Sequence, residues 1–241
     1  KRFLEGEAKI VLKRAQSATR KRFIVRIRAS RVDLVRRVVE SLLQCQSVKQ
    51  VQVDWQSPLA PPRSLFELGR VVQSGENSEK QRSDAIFMMD EDVLFSCNEL
   101  DRAFHVWREN PDRVVGFFPF VHGERDEESD QVVNYSLQPV GLMRGGYTLI
   151  SDRAAFVHQA YVDSFPKNSH CQSVALSIHA SAISKKAPIA VPAQPLELVS
   201  RQYRTQQKET DYTCLRDWLE GHGLAEPPEE ILSYIAEPPE E

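Results

Sequence analysis

The stretch AIFMMDEDVLF, residues 85–95, is apolar until it reaches three consecutive carboxylates, Asp90, Glu91 and Asp92. Two carboxylates one residue apart, Asp90 and Asp92, can approach a hard divalent cation together, and such a cation commonly bridges to substrate phosphates. A polar turn or a helix cap would use the same residue types, because Asp is frequent at both. A P-loop ATPase also ends an apolar strand in Asp-Glu, but it requires G-x-x-x-x-G-K-[ST] upstream, and the chain contains no such stretch. Open α/β sheets bind ligands beyond the carboxyl ends of their strands, which is where a strand ending at Met89 delivers the triplet.

The elements that would carry the triplet follow from periodicity. In KRFIVRIRAS, Phe23, Val25 and Ile27 alternate with polar or basic residues, as in a strand. RVDLVRRVVESLLQC puts Val32, Val35, Val39, Leu42 and Leu43 on one helical face, and VKQVQVDW reads as a second strand before the Pro-rich break QSPLAPPRS. Strand, helix, strand opens a parallel α/β sheet. AIFMM continues it as a strand. NELDRAFHVWREN follows as a helix with Leu100, Phe104 and Trp107 inward, and RVVGFFPF as one further buried strand. GERDEESDQ is a charged, solvated loop ahead of YSLQP.

With 241 residues, 41% hydrophobic, the chain can bury one large core or two small ones. Lys and Arg total 31 against 34 Asp and Glu, a balance that gives no general electrostatic reason for binding nucleic acid or an anionic membrane. Residues 1–22 are basic and read as a solvated linker or helix, whose Phe3, Leu4, Ile10, Val11 and Leu12 suit packing against a preceding domain. No apolar run approaches the roughly 20 residues of a membrane helix, and no signal-peptide pattern is present, so an anchor or further domain is expected upstream of Lys1. Residues 221–241 repeat AEPPEE and form a Pro/Glu-rich tail unsuited to a core. The cysteines show no zinc spacing, Cys45 and Cys97 read as buried free thiols, and His170 beside Cys171 does not make a nucleophile pair.

The triplet followed by AFHVWRENPDRVVGFFPF closely resembles the C-terminal glycosyltransferase domain of exostosin and exostosin-like proteins, with its D-[DE]-D and F-x-V-W-x-x-x-P-D-R-[IV]-V-G-[FY]. SRVDLVRRVVESLLQCQSVKQVQVDW is similar to that family's N-R-x-D-L-L helix and the strand ending V-V-W-N. LMRGGYTLIS resembles L-T-G-A-A-F-F, and HCQSVALSIHASAISKKAPIAV resembles N-C-E-D-I-A-M-N-F-L-V-x-x-x-x-x-K-x-P-I-x-V. The likeness covers about residues 23–220. It implies a GT-A type α/β fold, a Rossmann-like nucleotide-binding sheet flanked by helices and joined to a smaller acceptor-binding half.

The implied chemistry is retaining, Mn2+-dependent transfer from a UDP-sugar, with N-acetylhexosamine the expected sugar, to a glycan acceptor. By position, Arg31 and Gln56 lie near the nucleotide, Asp90 and Glu91 hold the donor, and Asp92 with Asp90 holds the metal. The resemblance also pairs Cys171 with Cys214, which places the domain in the oxidising lumen of the Golgi or endoplasmic reticulum, within a membrane-anchored protein and beside another glycosyltransferase domain or subunit.

Departures from the family pattern qualify these expectations. Gln172 and Ser173 stand where the family has an acidic pair, Asp211 where members carry an arginine for the diphosphate, and Phe120 where many have Arg. SGENSEKQRSDA is short and lacks the family's Asn/Arg-rich segment before the metal strand, with Asn77 and Arg82 the candidates for its remnants. An alternative is therefore a catalytically inactive pseudo-transferase that supports an active partner. An active enzyme would have moved its charges elsewhere, for example to Glu124, Asp126 or Glu127. A third reading, a glycan-binding module using Trp55, Trp107 or Trp218, meets the objection that the first two read as core. His122 stands where the family has a histidine after the G-F strand, which makes it a site candidate against the plainer reading of an exposed loop histidine, and Gly145 and Gly146 allow close backbone approach.

Overall fold

The computed structural model describes residues 2–16, 21–74, 83–122, 135–137, 147–165 and 172–199. The first strand of the sheet, β1 (Phe23–Ala29), sends Phe23, Val25, Ile27 and Ala29 to one face, and helix α2 (Val32–Leu42) then leads to β2 (Val48–Trp55), which pairs with β1 in parallel. A short helix, α3 (Arg63–Phe66), precedes β3 (Val71–Gln73), which pairs in parallel with β2. β4 (Ala85–Asp90) lies on the other side of β1, also parallel.

The triplet sits between β4 and the two-residue β5 (Val93–Leu94). Helix α4 (Cys97–Glu109) begins with a capping box in which Ser96 accepts the Glu99 N–H at 3.2 Å and Glu99 accepts the Ser96 N–H at 2.8 Å. This reciprocal pairing satisfies two donors that a helix start otherwise leaves open.

After α4 the sequence RVVGFFPF does not make one strand. It divides into β6 (Val115–Gly116) in the main sheet and β7 (Pro119–His122) in a second sheet, joined through Phe117 and Phe118. Gly116, the last residue of β6, lets that strand lie close against β10. A Cβ there would lie 2.7 Å from the carbonyl oxygen of Ala154 and 2.8 Å from the Ala155 methyl, too close for any side chain. The second sheet is completed by β8 (Tyr135–Leu137) and β9 (Tyr147–Ile150), both antiparallel to β7.

β10 (Ala154–His158) returns to the main sheet and pairs antiparallel with β4 and β6, so the expected parallel sheet is in fact mixed. Helix α5 (Gln159–Ser164), helix α6 (Gln172–Ser184), the edge strand β11 (Ile189–Ala190) and β12 (Leu196–Glu197), which pairs with β5, complete the order. The main sheet runs β11-β6-β10-β4-β1-β2-β3.

Alternation along the strands separates two cores. Phe23, Phe87 and Phe156 pack with one another and against α2 and α4 on one face, with ring centroids 4.6–6.3 Å apart. Ile86, Ala155 and Val157 face α5, α6 and α1 (Arg2–Gln16) on the other. Residues 2–16 of the basic N-terminal segment form helix α1, with Val11 and Ala15 buried against α5 and α6. Ile10 remains exposed. The phase of α2 also differs from expectation. Leu34 and Val38 are buried with Val35, Val39 and Leu42, while Val32 is exposed at 41%.

Cys45 and Cys97 form a disulfide, which corrects their reading as free thiols. Their partnership joins the turn after α2 to the first residue of α4, and only the tertiary packing of both helices on one sheet face brings them together. Cys171 and Cys214 lie outside the described residues, as do the 123–130 loop and the tail beyond residue 200.

Candidate functional site

The triplet reaches the carboxyl end of the sheet because β1, β2 and β4 are parallel and finish together, Arg28 lying opposite Asp90 and Asp54. On the far side of β4, the turn between β9 and β10 carries Ser151, Asp152 and Arg153 to the same edge, and the Asp90 N–H donates to the carbonyl of Arg153 at 3.0 Å. The site thus lies where the main sheet meets the three-stranded one.

Three adjacent carboxylates there have three different environments. Asp90 pairs with Arg28 at 2.7 Å, and the same guanidinium binds Asp152 through two hydrogen bonds of 2.8 and 3.0 Å. Burial alone would lower the pKa of Arg28, but the charges of Asp152 and Asp90, with their hydrogen bonds, outweigh it and hold the pKa above the ordinary arginine value.

Glu91 turns back under α2. Its carboxylate accepts the Ser30 N–H at 3.0 Å, the Arg31 N–H at 2.9 Å and the Ser30 hydroxyl at 2.9 Å. A carboxylate at a helix N-terminus satisfies open donors and complements the helix dipole. Asp92 pairs with Arg153 at 2.9 Å; the same guanidinium lies 3.6 Å from Glu197 and 4.6 Å over the ring of Phe118. β12 supplies Glu197 by pairing with β5, and the Leu198 N–H fixes the Asp92 carbonyl at 2.8 Å.

Arg31, at the start of α2, and Gln56, after β2, lie on the β1–β2 side of this group. Arg31 caps α2 and points outward, 55% exposed, paired with Asp33 at 2.9 Å. Gln56 is exposed, and its N–H donates to the Ala29 carbonyl at 2.7 Å, which holds the ends of β1 and β2 together. Gln172 and Ser173 open α6. Phe120 is buried in β7, and His122 ends that strand. Trp107 is fully buried, in agreement with its reading as core, and Trp55 is half-buried against the same cluster. Asn77, Arg82, Glu124, Asp126, Glu127, Gly145, Gly146, His170, Asp211 and Trp218 lie outside the described residues.

Sequence reasoning missed Arg28, Ser30, Asp152, Arg153 and Glu197. Signals existed for three of them. Arg28 interrupts an apolar strand one residue before its end, and Asp152-Arg153 interrupts the apolar run YTLISDRAAFV. What they pair with depends on strand register, which no local pattern reveals.

The donor set suits a hard cation. Asp90 and Asp92 stay 29% and 21% exposed, and Asp90, Glu91, Asp92, Asp152 and Glu197 outnumber the guanidiniums of Arg28 and Arg153. All the donors are oxygen, the preference of Mg2+ and Mn2+. Among the described residues, no group of three or more His, Cys, Asp or Glu side chains converges as a ready-made metal cage. Two carboxylates completed by substrate phosphates would be the usual alternative for such ions.

Comparison with known proteins fits this arrangement. The chain is 28% identical over 184 residues to glycosylinositol phosphorylceramide mannosyl transferase 1 of Arabidopsis thaliana, covering 61% of this chain and 55% of that protein. It is 32% identical over 133 residues to glucosamine inositolphosphorylceramide transferase 1 of the same plant, covering 49% of this chain and 16% of the relative. With mouse exostosin-like 2 it shares 23% identity over 204 residues, 73% of this chain and 62% of that one. The chain thus spans about half the length of the mannosyl transferase and a small part of the glucosamine transferase.

Among solved structures, a mannosyltransferase from Pyrobaculum calidifontis in complex with GDP-Man and Mn2+ aligns over 92% of this chain and 74% of its own, with a TM-score of 0.55 and 13% identity. The fold is of the GT-A type, as the sequence led us to expect. The model of the glycosyl transferase family 64 domain matches residues 23–217, from the first strand of the main sheet through the disulfide, the acidic strand end and α6, and the chain belongs to that family.

Proposed function

We propose that this chain is a glycosyltransferase domain that binds a nucleotide-sugar beyond the carboxyl ends of β1, β2 and β4 and transfers the sugar, with retention, to a glycan or glycolipid acceptor. The observation that carries the reading is the placement of Asp90 and Asp92, partly exposed, at the end of the central strand β4 and between the flanking Arg31 and Gln56 side and the β9–β10 turn. The donor is a UDP-sugar, with N-acetylhexosamine as its sugar. Relatives named for mannosyl and glucosamine transfer to inositolphosphorylceramide widen the acceptor class to lipid-linked glycans.

In this reading Asp92, with Asp90, holds Mn2+. When bound, that ion would supply positive charge against the diphosphate leaving group as the glycosidic bond to the donor breaks. The chain's own residues do the rest. Glu91 fixes the start of α2 and so places Arg31 beside the nucleotide. Asp90 and Asp152 hold Arg28 in one orientation, and its charge persists at every working pH. Gln56, at the end of β2, offers an amide to the nucleotide.

A second reading, a pseudo-transferase that supports an active glycosyltransferase domain or subunit, is favoured by the uncharged Gln172 and Ser173 at the start of α6. The Cys45–Cys97 bond supports an oxidising compartment and hence the lumen of the Golgi or endoplasmic reticulum, in a membrane-anchored protein. No helix among the described residues is long and apolar enough to cross a membrane.

Calorimetric titration of the folded, oxidised chain with UDP, with and without Mn2+, tests the first reading. Binding that strengthens with the cation is the expected result. A folded sample that binds UDP under neither condition would sink it and leave the supporting role.

A further inference from the structure

Arg153 reaches the site from the turn between β9 and β10, beside the acidic strand end, and brings a cation there.

That cation is anchored on every side. Its N–H donates to the Ser151 hydroxyl at 3.2 Å, and its carbonyl accepts the Asp90 N–H at 3.0 Å. The side chain is only 9% exposed. Its guanidinium stacks on Phe118 at 4.6 Å, reaches Glu197 at 3.6 Å and donates to Asp92 at 2.9 Å. Asp92 is the carboxylate assigned above to the metal, so Arg153 and a divalent ion compete for one acceptor. Two cations at one carboxylate also repel each other, strongly so where water is partly excluded.

We propose that Arg153 is a built-in counter-cation for Asp92 that weakens divalent-cation capture at the strand end. It acts as a positioning residue. With the donor absent it holds Asp92 in place, and when a cation takes Asp92 the guanidinium keeps Glu197 and the Phe118 ring as its resting place. Metal dependence of donor binding in this chain is then shallow, set by an exchange of one cation for another. The inference rests on the assignment of Asp92 to the metal made under the proposed function.

The test is titration of the full, oxidised chain with Mn2+ alone, followed by the electron paramagnetic resonance signal of the free ion, for the wild-type protein, Arg153→Gln and Arg153→Lys. Circular dichroism melting of each confirms folding. Arg153→Gln is expected to bind Mn2+ about tenfold more tightly than wild type, and Arg153→Lys, which keeps a positive charge there, to stay within about threefold of wild type. A purely structural role for Arg153 predicts the reverse, since loosening the site lowers affinity.

Unchanged or weaker Mn2+ binding by a folded Arg153→Gln protein overturns the inference while leaving the proposed function standing, provided UDP titration still shows a cation-dependent increment. Absence of Mn2+ binding in all three proteins overturns the inference, and the proposed function falls with it only where the folded chain also binds UDP neither with nor without Mn2+. If Arg153→Gln does not fold, the lysine variant decides: Mn2+ affinity that changes more than threefold with the charge retained counts against the charge being the cause.

Discussion

Glu91 accepts two backbone N–H groups and a hydroxyl where α2 begins, so its first contribution is to folding. Glu91→Ala is expected to cost about 2 kcal/mol, the range for hydrogen bonds to a charged cap, read as a lower urea midpoint with an unchanged slope. Asp92→Asn should remove the Mn2+-dependent part of UDP binding. Calorimetry checks this, and a mutant with a wild-type cation increment would move the metal elsewhere.

Glu99 adds a pH effect. Burial would raise its pKa, but the N–H groups of Gln194 and Ser96, the Ser96 hydroxyl and Arg102 outweigh it, and the net shift is downward from 4.5. A depressed folded-state pKa means that stability is fully present above about pH 4.5 and is lost as pH falls through the lower value. Glu99→Gln should therefore flatten the acid limb of the stability profile below that pH, measured by urea denaturation at successive pH values. At this scale the sequence disclosed the triplet, because an apolar run ending in acid is a local signal. It did not separate the tasks of Asp90, Glu91 and Asp92. Those depend on Arg28, the start of α2 and Arg153, which are distant in sequence and meet through pairing register.

Helices and strands were legible where one face repeats. β1, β2, β4 and α4 came out nearly as read, since alternation or a three-to-four spacing marks each. Val35, Val39 and Leu42 of α2 are buried as read, but Val32, which looks like a core residue, is exposed in the first turn, and Leu34 and Val38 are buried instead. RVVGFFPF looked like one strand because its apolar letters are continuous across a change of sheet. Gly116→Ala tests the close approach of β6 to β10. With no room for a methyl group against the Ala154 carbonyl, it should cost roughly 1–3 kcal/mol and disturb β6–β10 pairing, seen as faster amide exchange at Phe117. Helix α1 lies ahead of the residues matched by the family model, yet it covers one sheet face. Val11→Ala should lower stability by about 1.5 kcal/mol for the two methyl groups removed.

Over the whole molecule, an α/β sheet was readable because strand and helix signals alternate, while the GT-A type came from the likeness of the triplet and AFHVWRENPDRVVGFFPF to the exostosin domain. The antiparallel β10 was not, since its five residues are buried on both faces and read the same in either direction. Nor was the disulfide, because Cys45 and Cys97 are 52 residues apart and their spacing carries no pairing rule. Closing a loop of that length contributes about 4 kcal/mol in the chain-entropy account, a large share of the 5–15 kcal/mol typical of a domain. Cys45→Ala with Cys97→Ala should lower the urea midpoint accordingly, and a reducing agent should do the same to the wild type.

The bond also decides how the protein ought to be made. A preparation from a reducing bacterial cytosol would carry two thiols next to the helix that follows the acidic strand end, would be less stable by most of that amount, and would invite aggregation or wrong pairing during purification. Export to the periplasm or oxidative refolding, with a thiol count on the final sample, is the production route that delivers the molecule whose strand end is described above.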